Sequence, residues 1–168
     1  MSVLVVSATK AEVAYVPSSI PVLICGVGKV AAASAVASAL ARAEALGTPY
    51  DLVVNIGSAG ALHDHLEGLH EITDVLNHDL SVGALRKFGY DPQEWIALPG
   101  AEDGVSPVRL ATGDLFVSDP AVRAGLAERA DLVDMEGYAI AWAAVRQGCR
   151  YVWSSMSRTR PTRAPWTG

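Results

Sequence analysis

The sequence predicts an α/β fold: a single domain with a mixed, mostly parallel central sheet flanked by helices. Three observations predict it. Short, continuous β-branched runs, Val3–Val6 and "DLVVNI" at Asp51–Ile56, have the composition of strands buried on both faces. An Ala-rich, helix-forming stretch lies between them. Apolar runs end at glycine turns, giving the strand–turn–helix–strand order of a βαβ unit.

Taken in order, Val3–Val6 is the first strand, and "PVLIC" at Pro21–Cys25 is a second, ending at Gly26-Val27-Gly28. "KVAAASAVASALARAEAL", Lys29–Leu46, is a helix by propensity, and Gly47 stops it. Asp51–Ile56 then runs into a turn at Gly57-Ser58-Ala59-Gly60. "EITDVLNHDL", Glu71–Leu80, reads as a strand ending at a polar turn. Phe88–Pro107, with its Pro, Gly and Trp, reads as a long irregular loop, a kind that is often functional. "DPAVRAGLAERA", Asp119–Ala130, opens with a capping acid and a first-turn proline, so it starts a helix. "DLVDM" is a brief strand feeding a helix over Glu136–Gln147, closed by Gly148.

The chain has 168 residues and a formal charge of −5, and 51% of its residues are hydrophobic. One domain with a real core is expected, and disorder over most of the chain is excluded. Mild acidity disfavours nucleic-acid and anionic-membrane partners, which select basic faces. Two cysteines, Cys25 and Cys149, form no framework and fit a reducing, cytoplasmic setting. The N-terminus lacks the basic region of a secretory signal, and no run is long enough to span a membrane. The expectation is a soluble cytoplasmic domain.

Few residue groups could carry chemistry. "GVGK" and "IGSAG" follow strands and could turn backbone N–H groups toward a ligand, or simply pack closely. Neither is a P-loop or a Rossmann fingerprint. His63, His65, His70 and His78 match no ligand spacing and read as solvated loop histidines, so no metal or other cofactor is expected. Ser58 lacks a nucleophile-elbow context, and the cysteines lack a partner base. The carboxylates say more. Glu12 follows a buried strand near its C-terminal end, where ligands gather in open α/β sheets. Asp134 and Glu136 occupy the comparable end of a later strand, at the mouth of an otherwise apolar helix. They either cap that helix or hold a ligand. Phe116, in "ATGDLFVSD", is either core or a stacking plate.

In order, "SATKAEV", "CGVGKVAAA", "VVNIGSAGAL", "NHDLSVGALRKFGYDP", "ATGDLFVSD" and "VDMEGYAIA" resemble the nucleoside phosphorylase / methylthioadenosine–adenosylhomocysteine nucleosidase family, across Met1 to about Cys149. The chain is shorter than typical members, by a trimmed Val13–Pro21 segment and an early end. The resemblance implies a nucleoside lying across the strand ends while its C–N glycosidic bond is cut. By position, Glu12 would activate water, Glu136 would bind the ribose hydroxyls with Met135 packing on the sugar, and Asp134 would be their neighbour. Phe116 would stack on the purine and the Val117 backbone would hydrogen-bond it. Val27, Ser58, Ala59 and Gly60 would line the ribose and water side. A homodimer is implied too. Phosphorylases of the family need arginines near the N-terminus, but the first here is Arg42, inside a helix, and Glu12 would repel phosphate. Hydrolysis of a purine ribonucleoside, 5′-methylthioadenosine or S-adenosylhomocysteine-like, is therefore expected ahead of phosphorolysis.

The ending departs from the pattern. Residues 1–149 read as the nucleosidase-like domain. Residues 150–168 read as an atypical tail, a strand start that turns irregular after Val152. The tail carries four arginines and no acid, where the family has a Ser-Asp pair supplying the general acid. Back-translated with permitted codons and shifted by two bases, "VWSSMSRTRPTRAPWTG" can read "VVKHVSDTADESALDW", which restores that pair. The tail thus has the signature of a frameshift, and a nucleoside-binding protein with little turnover is the second expectation.

Overall fold

The computed structural model describes residues 1–98 and 107–158, with residues 153–158 described by backbone only. Strand β1 (Val3–Ser7) lies between β2 (Val22–Ile24) and β3 (Leu52–Ala61), parallel to both. The β2–β3 crossover is helix α1 (Lys29–Ala45), which buries Ala32, Val36, Leu40 and Ala43 along one stripe. Gly47 ends it in the left-handed region at φ 71, and Thr48 N–H donates to Ala43 O over 3.0 Å.

The remaining elements are β4 (Gly68–Glu71), β5 (Asp74–Asn77), α2 (Val82–Lys87), β6 (Trp95–Ala97), β7 (Arg109–Thr112), α3 (Pro120–Ala127), β8 (Leu132–Asp134), α4 (Gly137–Arg146) and β9 (Arg150–Arg158). The sheet order is β2-β1-β3-β8-β7-β5-β6, with β9 paired parallel to β3 and antiparallel to β4. Antiparallel pairs also join β3 to β8 and β5 to β6, and the other pairs are parallel, so the sheet is mixed and mostly parallel.

Neighbouring strand residues point to opposite faces, and the core divides accordingly. Val75 and Leu110 join the larger cluster with Val6, Val36, Val53 and Ile140 beneath α1 and α4. Leu76 and Ala111 join a smaller one with Leu62, Leu126 and Ala130 beneath α3. The apolar α4 is apolar because it is enclosed: Ile140, Ala141 and Ala144 are fully buried. Truncating Ile140 to Ala should cost about 2–5 kcal/mol. Among the described residues no helix is long and apolar enough to cross a membrane.

Four expectations need correction. "IGSAG" is not a turn: β3 continues through it to Ala61, because its last residues leave β1 and pair with β8, Gly60 opposite Val133. A Cβ on Gly60 would stand 3.2 Å from Val133 Cγ1, so the small residues serve close strand approach. The Glu71–Leu80 strand is the short β5, preceded by a separate β4. The expected loop over Phe88–Pro107 contains β6, which pairs with β5; its residues 99–106 lie outside the described ones. The tail does not turn irregular after Val152. β9 runs to Arg158 in register with β3, backbone pairing overriding the lack of a side-chain period, while residues 159–168 lie outside the described ones.

Candidate active site

A cleft of about 400 Å³ opens where the chain leaves β1, β2, β7 and β8, beside the far end of β3. It brings together every candidate residue read from the sequence. Glu12 comes from the turn after β1, Val27 from the β2–α1 turn, and Ser58, Ala59 and Gly60 from β3. Phe116 and Val117 come from the loop after β7, and Asp134, Met135 and Glu136 from the β8–α4 junction.

Glu12 is held by five donors. Its Oε2 accepts from Ser7 Oγ (3.0 Å), Thr9 N (3.1 Å) and Thr9 Oγ1 (2.9 Å). Its Oε1 accepts from Ser58 N (3.0 Å) and Ser58 Oγ (2.9 Å). Burial pushes the carboxyl up, but the donors on Ser58, Thr9 and Ser7 outweigh it and hold the group below its ordinary value. Glu12 is therefore a fixed, ionised carboxylate.

Glu136 is treated oppositely. Its Oε1 accepts from Gly28 N at 2.7 Å, a contact made possible because Gly28 sits at φ 92, where a side chain would be strained. Burial, then the charges of Glu12 and Asp114, push its carboxyl above the ordinary value despite the Gly28 N–H. The charge of Glu12 is thus felt at Glu136 across the cleft.

Asp134 does cap the helix. Its Oδ2 accepts from Glu136 N (2.8 Å) and Gly137 N (2.7 Å), and its Oδ1 accepts from Thr112 Oγ1 (2.5 Å). Thr112 Oγ1 in turn accepts from Tyr138 N at 2.9 Å. Side chains of β7 and β8 thereby satisfy donors that the first turn of α4 leaves open. Burial drives the Asp134 carboxyl up to about 7. Asp134 borders the cleft, but these oxygens are engaged in orienting Glu136.

Phe116, 71% exposed, and Val27, 60% exposed, form apolar walls at the mouth. Sequence reading missed Ser7 and Thr9 as anchors of Glu12, and Gly28 and Thr112 as anchors of the other acids. The only available signal was spacing: Ser7 and Thr9 stand five and three residues before Glu12. Cys25 is buried, and burial with the Glu136 charge pushes its thiol up to about 11, which makes it a poor nucleophile. Among the described residues no three His, Cys, Asp or Glu gather as a metal-binding group. A larger, more open hollow of about 610 Å³ lies between α1 and α4, edged by Lys29, Asn77 and Trp142. None of the candidate site residues borders it.

The mixed sheet and this cleft accord with an α/β protein of the phosphorylase superfamily. The model of that superfamily matches residues 13–159, and the chain belongs to it. No curated protein matches the sequence. Among solved structures, the chain is similar to Helicobacter pylori MTAN (TM-score 0.76, 19% identity, covering 95% of this chain and 89% of that one). It is similar to the futalosine hydrolase of H. pylori strain 26695 (TM-score 0.76, 19% identity, 95% and 88% covered). It is also similar to the S-adenosylhomocysteine nucleosidase of Streptococcus pyogenes, solved in complex with 5-methylthiotubericidin (TM-score 0.72, 22% identity, 94% and 83% covered). At these identities the likeness is one of fold.

Proposed function

We propose that the cleft binds a purine ribonucleoside and that the chain hydrolyses its N-glycosidic bond, with a 5′-methylthioadenosine- or S-adenosylhomocysteine-like nucleoside as substrate. The observation that carries this reading is the convergence of Glu12 and Glu136, far apart in sequence, on one cleft walled by Phe116. The superfamily match begins just after Glu12, so the role of Glu12 rests on this geometry and on the resemblance.

In this reading Glu136 accepts the two ribose hydroxyls, Met135 packs on the sugar, Phe116 stacks on the base, and the Val117 backbone meets the base edge. The C1′–N9 bond breaks through an oxocarbenium-like sugar, which the anionic cleft stabilises. Water adds to C1′ and gives its proton to Glu12, while the bonding pair stays on the purine nitrogen. Ser58 and Thr9 hold Glu12 so that it need not reorganise during the step. Glu12, held ionised by its donors, would repel phosphate, which favours water as nucleophile.

A second reading is favoured by one specific observation. Among the described residues the carboxylates lining the cleft are Glu12 and Glu136, assigned here to the water and the sugar, and Asp134, engaged at the start of α4, and β9 supplies no acid from its sequence. If the acid missing from the tail is not replaced by another group, the chain would bind nucleoside and turn it over slowly. Base release from a panel of purine nucleosides, with and without phosphate, tests both. Phosphate-independent release supports hydrolysis, binding without release supports the second reading, and strictly phosphate-dependent release overturns the choice of water.

A further inference from the structure

Lys29 is the first residue of α1, where the helix dipole disfavours a cation. Its N-cap, Gly28, offers no side chain. The helix start is held from elsewhere instead. Asp114, on the loop after β7, accepts from Lys29 N at 2.8 Å. The Lys29 ammonium turns away from the cleft, donating to Asn77 Oδ1 at 2.9 Å and pairing with Asp79, with Asp114 Oδ2 3.8 Å away. Asp79 Oδ2 closes the ring by accepting from Asp114 N at 2.8 Å. The Lys29 and Asp79 side chains are each only 19% exposed, so the pair is poorly screened and worth more than a surface bridge.

These contacts join three segments that are remote in sequence. The first is the Val27–Gly28 turn, whose Gly28 N–H holds Glu136. The second is the end of β5 at Asn77 with the turn that follows it through Asp79. The third is the loop that carries Phe116 and Val117 into the cleft. The second and third also meet through packing. His78 N donates to Thr112 O at 3.0 Å, and the His78 ring fills the space a Gly113 side chain would need. None of Lys29, Asp79 or Asp114 lines the cleft itself.

We infer that Lys29, Asp79 and Asp114 are positioning residues that set the span of the cleft, fixing the Phe116–Val117 wall relative to the Glu136 clasp. The inference rests on the proposed nucleoside site for its consequence, but not for its physical content. Loss of the ring frees the loop after Gly113 and lets the Gly28 turn drift from Glu136. A ligand that must touch both walls then binds an ensemble in which only a fraction is correctly spaced.

The test uses the full chain with Lys29→Met and Asp114→Ala, and Lys29→Arg as the charge-keeping control. Asp114 is half exposed, so its removal leaves the core untouched. Two readouts are taken: binding of 5′-methylthioadenosine by calorimetry, and amide exchange at residues 113–117. Lys29→Met and Asp114→Ala should each weaken binding about tenfold to a hundredfold. Both should speed exchange at 113–117 while leaving β1 and β3 protected, and Lys29→Arg should recover part of both. Unchanged exchange at 113–117 overturns the inference whether or not the nucleoside binds, as does faster exchange spread evenly over the sheet. If wild type does not bind this nucleoside, the proposed substrate fails and the exchange pattern still decides the positioning role.

Discussion

Asp134→Asn probes the most heavily perturbed carboxyl in the cleft. Burial raises its pKa from the ordinary 3.8 to about 7, whereas the unfolded chain keeps the ordinary value. A carboxyl whose folded value is raised contributes its full stability below the unfolded pKa and loses it as pH climbs toward the folded one. The gap is worth about 4 kcal/mol, at about 1.4 kcal/mol for each pH unit. Between pH 5 and 7.5 the wild type should lose about 2–3 kcal/mol through this group alone. Asn keeps an oxygen for the Glu136 and Gly137 amides and does not titrate. His78, lowered chiefly by burial, and Glu12, held low by its donors, drive stability the opposite way, but both are present in either protein and cancel in the difference. Urea unfolding of both proteins at several pH values gives that difference. It should move in favour of the variant by about 2–3 kcal/mol from pH 5 to 7.5. A difference that stays constant with pH would show Asp134 charged throughout, with its donors outweighing burial, and would refute the reasoning.

Four further outcomes follow from the same geometry. Glu12→Gln keeps the shape of the anchored side chain but cannot take a proton, so base release should fall about 10²–10⁴-fold while nucleoside affinity, read by calorimetry, changes little. Because Glu136 is raised and Glu12 lowered, acidification should weaken binding before it protonates the base; dissociation constants and kcat measured across pH 3 to 7 would separate the two limbs. Gly113→Ala would drive a methyl into the His78 ring and should cost about 1–3 kcal/mol by thermal or urea unfolding. Replacing the chain after Tyr151 with "VVKHVSDTADESALDW" should raise base release by about 10²–10⁴-fold, and sequencing the source DNA should find the single insertion or deletion; an intact frame there removes the frameshift explanation.

Much of the fold was legible because it rests on burial. Val3–Val6 and Leu52–Ile56 are strand residues, each buried or half-buried, and Lys29–Leu46 has an unbroken apolar stripe, so composition and period agree with the structure. Asp119 caps α3 as expected, accepting from the Ala121 and Val122 amides. What escaped notice is set by partners remote in the chain. β6 and β7 are strands of three and four residues whose pairing with β5 outweighs any local signal. "IGSAG" looks like a turn because glycine and serine are turn residues, yet there they let β3 pass close to Val133. In the cleft, the acids were legible as residue types at strand ends. Their opposite electrostatic treatment was not, since it depends on Ser58 reaching Glu12 and Gly28 reaching Glu136. The ring of Lys29, Asp79 and Asp114 was invisible for the same reason.

The most direct measurement is a crystal structure of the chain soaked with 5′-methylthioadenosine. The sugar should lie between the two acids, with its 2′ and 3′ hydroxyls on the Glu136 carboxylate, the purine face on Phe116, and C1′ open to Glu12 through one water. Density for the nucleoside in the hollow between α1 and α4, or with the ribose turned away from Glu136, would contradict the account.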